Sequence, residues 1–340
     1  MESNDLKDFT AARRTVRSTR ALASAGIDPP DVRTAVRRGA LRRVRRGWYV
    51  DEPEWSSAHT EQRHLMQVVA AAESARGADM VFVRTAAAVL WSCPLWRCAP
   101  KNVHAAGAGG DGSATTSGPV ARHRVVIPAA DRAERFGIPC TSLERTVVDV
   151  ACTASIETAL ACADAAMRRV AWDPVAREYD FAAAEAFRER LREVLRRRAG
   201  ARGIRRARFV VDFADGRAES PLESTSRLYF HVLGFDPPPL QTPIPGPNGE
   251  RYRVEFDLAP FNAWGECDGK GKYHDLSRNG GRTPAQVFDD EKRREDWIRG
   301  TTRRWFLRWG ARELDSVDTF EAFLRSRGIV SGRPRRILPA

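Results

Sequence analysis

The sequence predicts a multidomain protein of the α+β / α/β class. Its 340 residues are enough for two or three domains, and a hydrophobic content of 42% is typical of a globular chain. Segments with the apolar spacing of helices and segments with the alternation of strands both occur along it. We expect an N-terminal helical domain with a two-strand wing (1–55), a mixed α/β middle region ending in a basic helix (56–200), and a mixed sheet flanked by helices (205–325).

The chain is strongly basic, with a net charge of +12 and a sequence pI of about 10.0. A balance of this kind favours an anionic partner, either nucleic acid or an acidic membrane face. The surplus is almost entirely arginine, whose planar fork suits phosphate groups. A high-GC genome also enriches arginine, so part of this charge need not be functional.

Cysteine usage and hydropathy indicate a reduced, cytoplasmic protein with no membrane partner. No pair of cysteines has C-x-x-C spacing, which argues against a structural zinc site, and a chain this long with so few cysteines is unlike a disulfide-rich domain. The first ten residues are polar, and no apolar run approaches the ~20 residues of a membrane span. The six cysteines are Cys93, Cys98, Cys140, Cys152, Cys162 and Cys267.

The N-terminal region has the order helix, turn, helix, wing. Residues 19–26 read as a short helix ended by a glycine, and Pro29, Pro30 and Asp31 open a second helix over 32–38. Residues 41–50 form two short strands with Gly47 at the turn. This order predicts a winged helix-turn-helix, in which the second helix enters a major groove and arginines contact phosphates.

Seven arginines and no acid lie between positions 33 and 46, so we predict that they contact DNA. The alternative is a solvated arginine face on a small helical domain. The seven are Arg33, Arg37, Arg38, Arg42, Arg43, Arg45 and Arg46.

This region resembles the N-terminal domain of AbiEi-type antitoxins, which regulate type IV toxin–antitoxin pairs. The resemblance rests on Ala25-Gly26, Val32-Arg33 and residues 37–41 and 44–49. Residues 137–151 resemble a stretch common in actinobacterial AbiEi-like proteins. The resemblance implies DNA binding, transcriptional regulation and a toxin as a possible protein partner, with the middle region as a scaffold.

A second run of arginines lies between residues 185 and 208, on a predicted helix and the linker after it. It is either a solvated face or a second phosphate-contacting surface. Its members are Arg188, Arg190, Arg192, Arg196, Arg197, Arg198, Arg202, Arg205, Arg206 and Arg208.

The most informative segment is a predicted hairpin that carries several acids. Strands over 251–258 and 264–268 flank a tight turn, so they are expected to pair in antiparallel fashion. Alternation places Glu255 and Asp257 on one face.

In the second strand, alternation places Glu266 and Asp268 on one face and turns Cys267 toward the opposite face, into the core. We expect Asp257 to lie across from Glu266, close enough for the two carboxylates to share Mg²⁺ or Mn²⁺. Alternatively, these acids are solvated edge positions paired with arginines.

Two further groups complete the predicted site. Glu223, on the preceding helix, can join the metal shell or orient a water molecule. Lys270 or Lys272 can stabilise the charge that develops during phosphodiester hydrolysis. The motif therefore predicts a metal-dependent hydrolytic site.

This region resembles the PD-(D/E)XK nuclease superfamily, and more closely a domain related to very-short-patch-repair endonucleases. The anchors are residues 218–224, Val254-x-Phe256-Asp257, 265–273, 291–296 and Arg308-Trp309. The resemblance implies a restriction-endonuclease-like mixed sheet flanked by helices. By it, Asp257 and Glu266 correspond to the metal-binding acids and Glu223 to the helix acid.

The sequence departs from the superfamily motif at one position. The motif lysine lies two residues after the second acid, where this chain has Asp268. Lys270 or Lys272 must replace it, or the lysine is missing and the domain is catalytically silent. We favour Lys272, so the predicted site comprises Glu223, Asp257, Glu266, Asp268 and Lys272.

Three functions fit the sequence. The first is a DNA-binding protein with a metal-dependent endonuclease domain, in which the N-terminal domain brings the C-terminal site to double-stranded DNA. The second is an AbiEi-like antitoxin or transcriptional regulator with a silent nuclease-like domain. The third is an RNA-directed protein, because neither the motifs nor the composition separates DNA from RNA.

Overall fold

The computed structural model describes residues 2–75, 80–107, 114–268, 283–330, 332 and 335. The chain divides into two compact units, residues 1–214 and 215–340. The regions 1–55 and 56–200, which the sequence predicts as separate domains, lie in the same unit. Both units mix helices and strands, as the sequence predicts for the α+β / α/β class.

The first unit begins with helices and a small three-stranded sheet. Ser18 accepts a hydrogen bond from Ala21 N at 3.1 Å and so starts the second helix, while two prolines open the third helix. Strand order in the sheet is β1-β3-β2. The elements are α1 (Glu2–Thr15), β1 (Arg17–Ser18), α2 (Thr19–Ser24), α3 (Pro29–Arg37), β2 (Leu41–Arg45), β3 (Trp48–Asp51) and α4 (Glu52–Ser57).

Apolar side chains of these elements form one small core. Leu22 of α2, Val32 of α3 and Leu41 of β2 pack together and exclude water, with Tyr49 against them. The predicted helix, helix and two-strand hairpin are therefore present as elements, and most of the arginines between the core positions lie on the surface.

The rest of this unit is a six-stranded mixed sheet packed with helices. Strand order is β6-β7-β5-β4-β9-β8, and a separate two-stranded ribbon pairs β10 with β11. The elements are α5 (Thr60–Ser74), β4 (Val81–Phe82), α6 (Arg84–Leu90), β5 (Val103–Ala106), β6 (Ala114–Ser117), β7 (Val120–His123), β8 (Arg132–Arg135), β9 (Ile138–Thr141), α7 (Leu143–Thr153), α8 (Ile156–Ala171), β10 (Trp172–Asp173), β11 (Glu178–Tyr179), α9 (Phe181–Arg197) and α10 (Ile204–Phe213).

A buried ionic cluster ties α7 to the short 3-10 turn Ala129–Asp131, which precedes β8. Arg145 donates to Asp149 at 3.0 Å, as its i,i+4 spacing predicts, and also to Asp131 at 2.7 Å. Breaking such a buried cluster leaves an unpaired charge in the interior, so it fixes the geometry of the scaffold.

The second unit is a four-stranded sheet with helices on both faces. Strand order is β12-β13-β14-β15; the first three strands are antiparallel, and β15 runs parallel to β14. The elements are α11 (Pro221–Val232), β12 (Leu240–Pro245), β13 (Arg251–Leu258), β14 (Ala263–Asp268), α12 (Pro284–Thr302), β15 (Trp305–Gly310) and α13 (Val317–Ser326).

Each face of this sheet has its own apolar core. On one face, Trp309 packs against Phe256 and against Phe230 of α11, with ring centroids 5.0 and 6.0 Å apart. On the other face, Val254 and Trp264 form a cluster that includes Ile298 of α12. The two faces give acids on neighbouring strands very different surroundings. None of the described helices combines the length and the apolar character that a membrane span requires.

Candidate functional site

Glu223 lies in the first turn of α11, in the interior of the second unit. Ser220 caps this helix: its Oγ accepts from Glu223 N at 3.2 Å and donates to Glu223 Oε1 at 3.1 Å. The side chain is only 2% exposed. A carboxylate at a helix N-terminus is favoured by the helix dipole, but its burial is costly unless it is partnered.

The second partner of Glu223 comes from β12. Gln241 Nε2 donates to Glu223 Oε2 at 3.0 Å, and both side chains are buried. Gln241 has a φ of 53°, in the left-handed region, between the paired residues Leu240 and Thr242. Non-glycine residues adopt this conformation at a cost, so the strand bears strain where it delivers this amide to the carboxylate.

Glu255 of β13 and Cys267 of β14 complete a cluster around Glu223. Glu255 Oε2 accepts a 2.6 Å hydrogen bond from Cys267 N. One carboxylate oxygen from each glutamate and the Cys267 Sγ all lie within 4.8 Å of one another. This is the one group of three or more such donors found among the described residues, and the spacing suits a single divalent cation.

The cluster concentrates negative charge away from water. Burial and the neighbouring Glu255 raise the pKa of Glu223 to about 8. Burial and Glu255 likewise raise the pKa of Glu266 to about 7, although Arg294 acts in the opposite direction. A bound cation would stabilise the ionised carboxylates and reverse these shifts.

Glu266 borders the cluster but is held by an arginine of α12. Its Oε1 accepts from Arg294 Nη2 at 2.9 Å, and Arg294 also binds Glu291 at 2.8 Å. Glu266 is 5% exposed. Of the two acids predicted to hold the metal, Glu266 is therefore close to the site, with its charge already partly balanced.

The predicted pairing of Asp257 with Glu266 is wrong. Asp257 lies opposite Trp264, and Leu258 pairs with Ala263, so the strands are joined by residues 259–262 alone. This short connection shifts the register by two residues relative to the predicted one. Glu266 is consequently displaced along the strand from the position facing Asp257.

Asp257 has a different partner altogether. Its Oδ1 accepts from Arg304 Nη2 at 2.5 Å, and the Arg304 guanidinium lies 3.5 Å from the centroid of the Trp264 ring. The structure thus supports the alternative reading for this one acid, a strand position paired with an arginine, and Asp257 is not among the clustered donors.

The remaining predicted residues contribute little to the described geometry. Asp268, at the end of β14, is partly exposed and accepts from Arg308 Nη1 at 3.3 Å. Lys272 and its alternative Lys270 lie outside the described residues.

Sequence reasoning missed Glu255, Gln241 and Cys267 as members of the site. Glu255 is an acid two residues before Asp257 in the sequence. A prediction that assumed a four-residue turn would have placed Glu255, and not Asp257, opposite Glu266. Cys267 is buried, as predicted, but its Sγ lies within 4.8 Å of carboxylate oxygens of Glu223 and Glu255. No sequence signal marked Gln241, because its role depends on an unusual backbone conformation.

The N-terminal arginines fall into two groups. Arg42 is neutralised by Glu52, to which its Nε and Nη2 donate at 2.9 and 2.8 Å. Arg45 is partly buried, and burial together with the nearby Arg122 lowers its pKa. The exposed arginines are Arg42, which keeps its pairing with Glu52, and Arg33, Arg37, Arg38, Arg43 and Arg46.

On α9, by contrast, arginine charge is largely balanced by acids. Arg192 donates to Glu185 at 2.9 Å and to Asp212 at 3.0 Å, and Arg196 donates to Glu189 and Glu193, each at 2.9 Å. The solvated-face reading therefore fits these two arginines better than a second phosphate-contacting surface.

Comparison with known proteins gives relatives but no activity. Two uncharacterised proteins of Mycobacterium tuberculosis, from strains CDC 1551 and H37Rv, are each 34% identical to this chain over 148 residues. The match covers 44% of this chain and 46% of each relative, so the chain spans less than half the length of the curated relatives it matches. No protein-family model matches the chain.

Proposed function

We propose that this chain is a DNA-binding protein whose C-terminal unit hydrolyses phosphodiester bonds with a divalent cation held by Glu223 and Glu255. The observation that carries the proposal is the buried cluster in which these two carboxylates and a thiol lie within 4.8 Å of one another. Buried carboxylates without a cation repel each other. Here the pKa values of Glu223 and Glu266 are both raised, by burial and by the neighbouring Glu255. We therefore move the metal-binding role from Asp257 to Glu255.

The residues of the site divide the work as follows. Glu223 and Glu255 bind the cation, while Ser220 and Gln241 hold the Glu223 carboxylate in place through its two oxygens. Glu266, beside the cluster, is positioned by Arg294 to accept a proton or orient a water molecule. A divalent cation in such a site polarises a phosphate oxygen and lowers the pKa of bound water.

The test compares two isosteric changes on one strand. Purified protein is incubated with supercoiled plasmid and Mn²⁺ or Mg²⁺, and nicking is followed on gels. We expect Glu255→Gln to reduce the rate by on the order of a hundredfold or more, because it removes a cation ligand. Asp257→Asn should cleave at nearly the wild-type rate, because Asp257 is paired with Arg304 outside the cluster.

Binding of the same plasmid fragments is measured as a control, and Glu255→Gln should bind as the wild type does. The proposal is rejected if no divalent ion supports cleavage of any DNA or RNA substrate. Equal inactivity of the two folded variants would restore the original assignment of Asp257.

A second candidate function is a transcriptional regulator of the AbiEi-antitoxin kind. Exposed arginines that have no acidic partner among the described residues favour it, because they can contact phosphates; these are Arg33, Arg37, Arg38, Arg43 and Arg46. This function predicts sequence-specific binding upstream of the chain's own gene, whether or not DNA is cut. Footprinting on that region, with an unrelated fragment as competitor, distinguishes it from nonspecific binding.

A further inference from the structure

We propose that Cys267 is itself a ligand of the cation, so that the site takes a borderline transition ion such as Zn²⁺ or Co²⁺ in preference to Mg²⁺. The proposal rests on the cation site proposed above but not on its hydrolytic activity. It replaces the all-oxygen site expected from the sequence with one that has two oxygen donors and one sulfur donor.

The positions of the donor atoms support a shared ion. Zinc–sulfur bonds are about 2.3 Å and zinc–oxygen bonds about 2.0–2.2 Å, so in a tetrahedral shell two ligand atoms lie roughly 3.4–3.7 Å apart. The Cys267 Sγ and the oxygens of Glu223 and Glu255 already lie within 4.8 Å of one another. Side-chain movements that shorten these separations by up to about 1 Å therefore bring all three atoms into coordination.

The backbone fixes the thiol beside the carboxylates. Cys267 N donates to Glu255 Oε2 at 2.6 Å, so the strand that carries the sulfur is bound to one of the oxygen ligands. Gly265 precedes it on the same face, where an added Cβ would lie 2.7 Å from the Trp309 ring. The strand is thus packed tightly against Trp309 at Gly265, and two residues later it places the thiol beside the carboxylates of Glu223 and Glu255.

Burial makes a purely apolar role for this cysteine unfavourable. Glu223, Glu255 and Cys267 are 2%, 8% and 1% exposed. Two buried carboxylates are costly beside an apolar core residue, whereas a divalent ion offsets their charge and also stabilises a thiolate. Magnesium requires oxygen ligands in near-ideal octahedral geometry, while thiolate ligands favour zinc and other softer ions.

The first experiment titrates Co²⁺ into the metal-free full-length protein and follows the near-ultraviolet sulfur-to-cobalt charge-transfer absorption. We expect this band in the wild type, with displacement by Zn²⁺ but not by excess Mg²⁺. Cys267→Ser should abolish the band and weaken Co²⁺ binding by roughly tenfold or more. Cys152→Ser, which changes a buried cysteine of α7, should keep the band.

A second measurement needs no variant and so does not depend on the folding of Cys267→Ser. X-ray absorption at the zinc edge of the wild type should show one sulfur neighbour at about 2.3 Å among lighter oxygen or nitrogen neighbours. A zinc shell without sulfur overturns the proposal, as does a charge-transfer band that survives in Cys267→Ser.

Failure of this proposal is distinguishable from failure of the proposed function. Cleavage of DNA with Mg²⁺ and no sulfur in the metal shell would reject Cys267 as a ligand and keep the hydrolase. A sulfur-containing shell in a protein that cuts no nucleic acid with any ion would keep the ligand assignment and reject the hydrolase.

Discussion

At the scale of the residue, Glu255 and Asp257 show how the same chemical group takes two roles on one strand. Glu255 lies in the interior beside Glu223. Asp257 accepts a hydrogen bond from Arg304, whose guanidinium lies over the Trp264 ring. A carboxylate paired with an arginine stays ionised without a metal, whereas clustered buried carboxylates need a proton or a cation. The identity of the neighbours therefore decides which acid can hold an ion.

Glu223 should make the stability of the metal-free protein depend on pH. Its pKa is raised in the folded state from 4.5 to about 8, so between these values the native protein retains a proton that the unfolded chain has released. The free energy of unfolding of the wild type therefore falls as pH rises through this window and levels off above the folded-state pKa, at up to about 1.4 kcal/mol per pH unit.

Glu223→Gln should lack this decline, so its stability relative to the wild type should increase with pH. Urea unfolding of both proteins in a chelator, at several pH values between 4.5 and 8, measures the difference. A difference that is constant over the range would contradict the expected protonation of Glu223.

Substitutions of Gln241 can separate the effect of its strained backbone from the effect of its hydrogen bond to Glu223. Gln241→Ala and Gln241→Gly both remove the amide, so both should weaken Mn²⁺ binding by about 10- to 100-fold in calorimetric titration. Glycine tolerates the positive φ of 53°, so the glycine variant should be more stable than the alanine variant by about 1 kcal/mol. Wild-type affinity in either variant would show that the amide does not position Glu223.

At the scale of the element, β14 is the strand on which the site depends. Its residues alternate between two cores, with Trp264 toward Ile298 of α12 and Gly265 against Trp309. Its pairing with β15 is parallel and runs from Ala263↔Trp305 to Asp268↔Gly310. A displacement of this strand would move Glu266 and Cys267 together, so its packing sets the geometry of the cluster.

Gly265→Ala should destabilise the second unit by about 1–3 kcal/mol, because the new methyl group would lie 2.7 Å from Trp309 and 2.9 Å from Phe256. Gly300→Ala is the matched control. This glycine lies in α12 with nothing within 4 Å of an added Cβ, so the change should be neutral or stabilising by up to about 1 kcal/mol. Urea midpoints of the two variants make the comparison, and an equal effect would contradict the tight packing at Gly265.

At the scale of the whole molecule, the number of arginines in a segment does not give its net positive charge, because some arginines are paired with acids. The chain carries a net charge of +12, yet arginines of α9 are balanced by acids while several on α3 and β2 are exposed. Unpaired arginines release counterions when they bind phosphates, and paired ones release few. DNA affinity should therefore depend on the N-terminal arginines rather than on total charge.

The double variant Arg37→Ala/Arg38→Ala should weaken DNA binding and reduce the slope of log affinity against log salt by about 2. Arg192→Ala/Arg196→Ala removes the same formal charge from α9 but should change the slope much less, because these side chains bind Glu185, Glu189, Glu193 and Asp212. Fluorescence anisotropy over a series of salt concentrations gives both slopes. Equal slopes in the two variants would contradict the assignment of the contact surface.

The sequence by itself determined the elements, because each is encoded by neighbours in the chain. The glycine that closes the helix over 19–26 and the prolines that open the next one were enough to predict two helices near their observed bounds, and the strand predicted over 251–258 has the bounds of β13. It also named Glu223 and Glu266 as candidate site acids, and in the structure the charge of Glu255 acts on both of them.

Only the tertiary structure decided which acids meet, because that depends on the strand register, on the partners of each charge and on one strained residue. The four-residue connection after Leu258 separated Asp257 from Glu266, and Arg304 paired with Asp257. Gln241 reached Glu223 from a conformation that no local pattern encodes. Long-range contacts of this kind combine residues far apart in the chain, so they become visible only once the sheet is assembled.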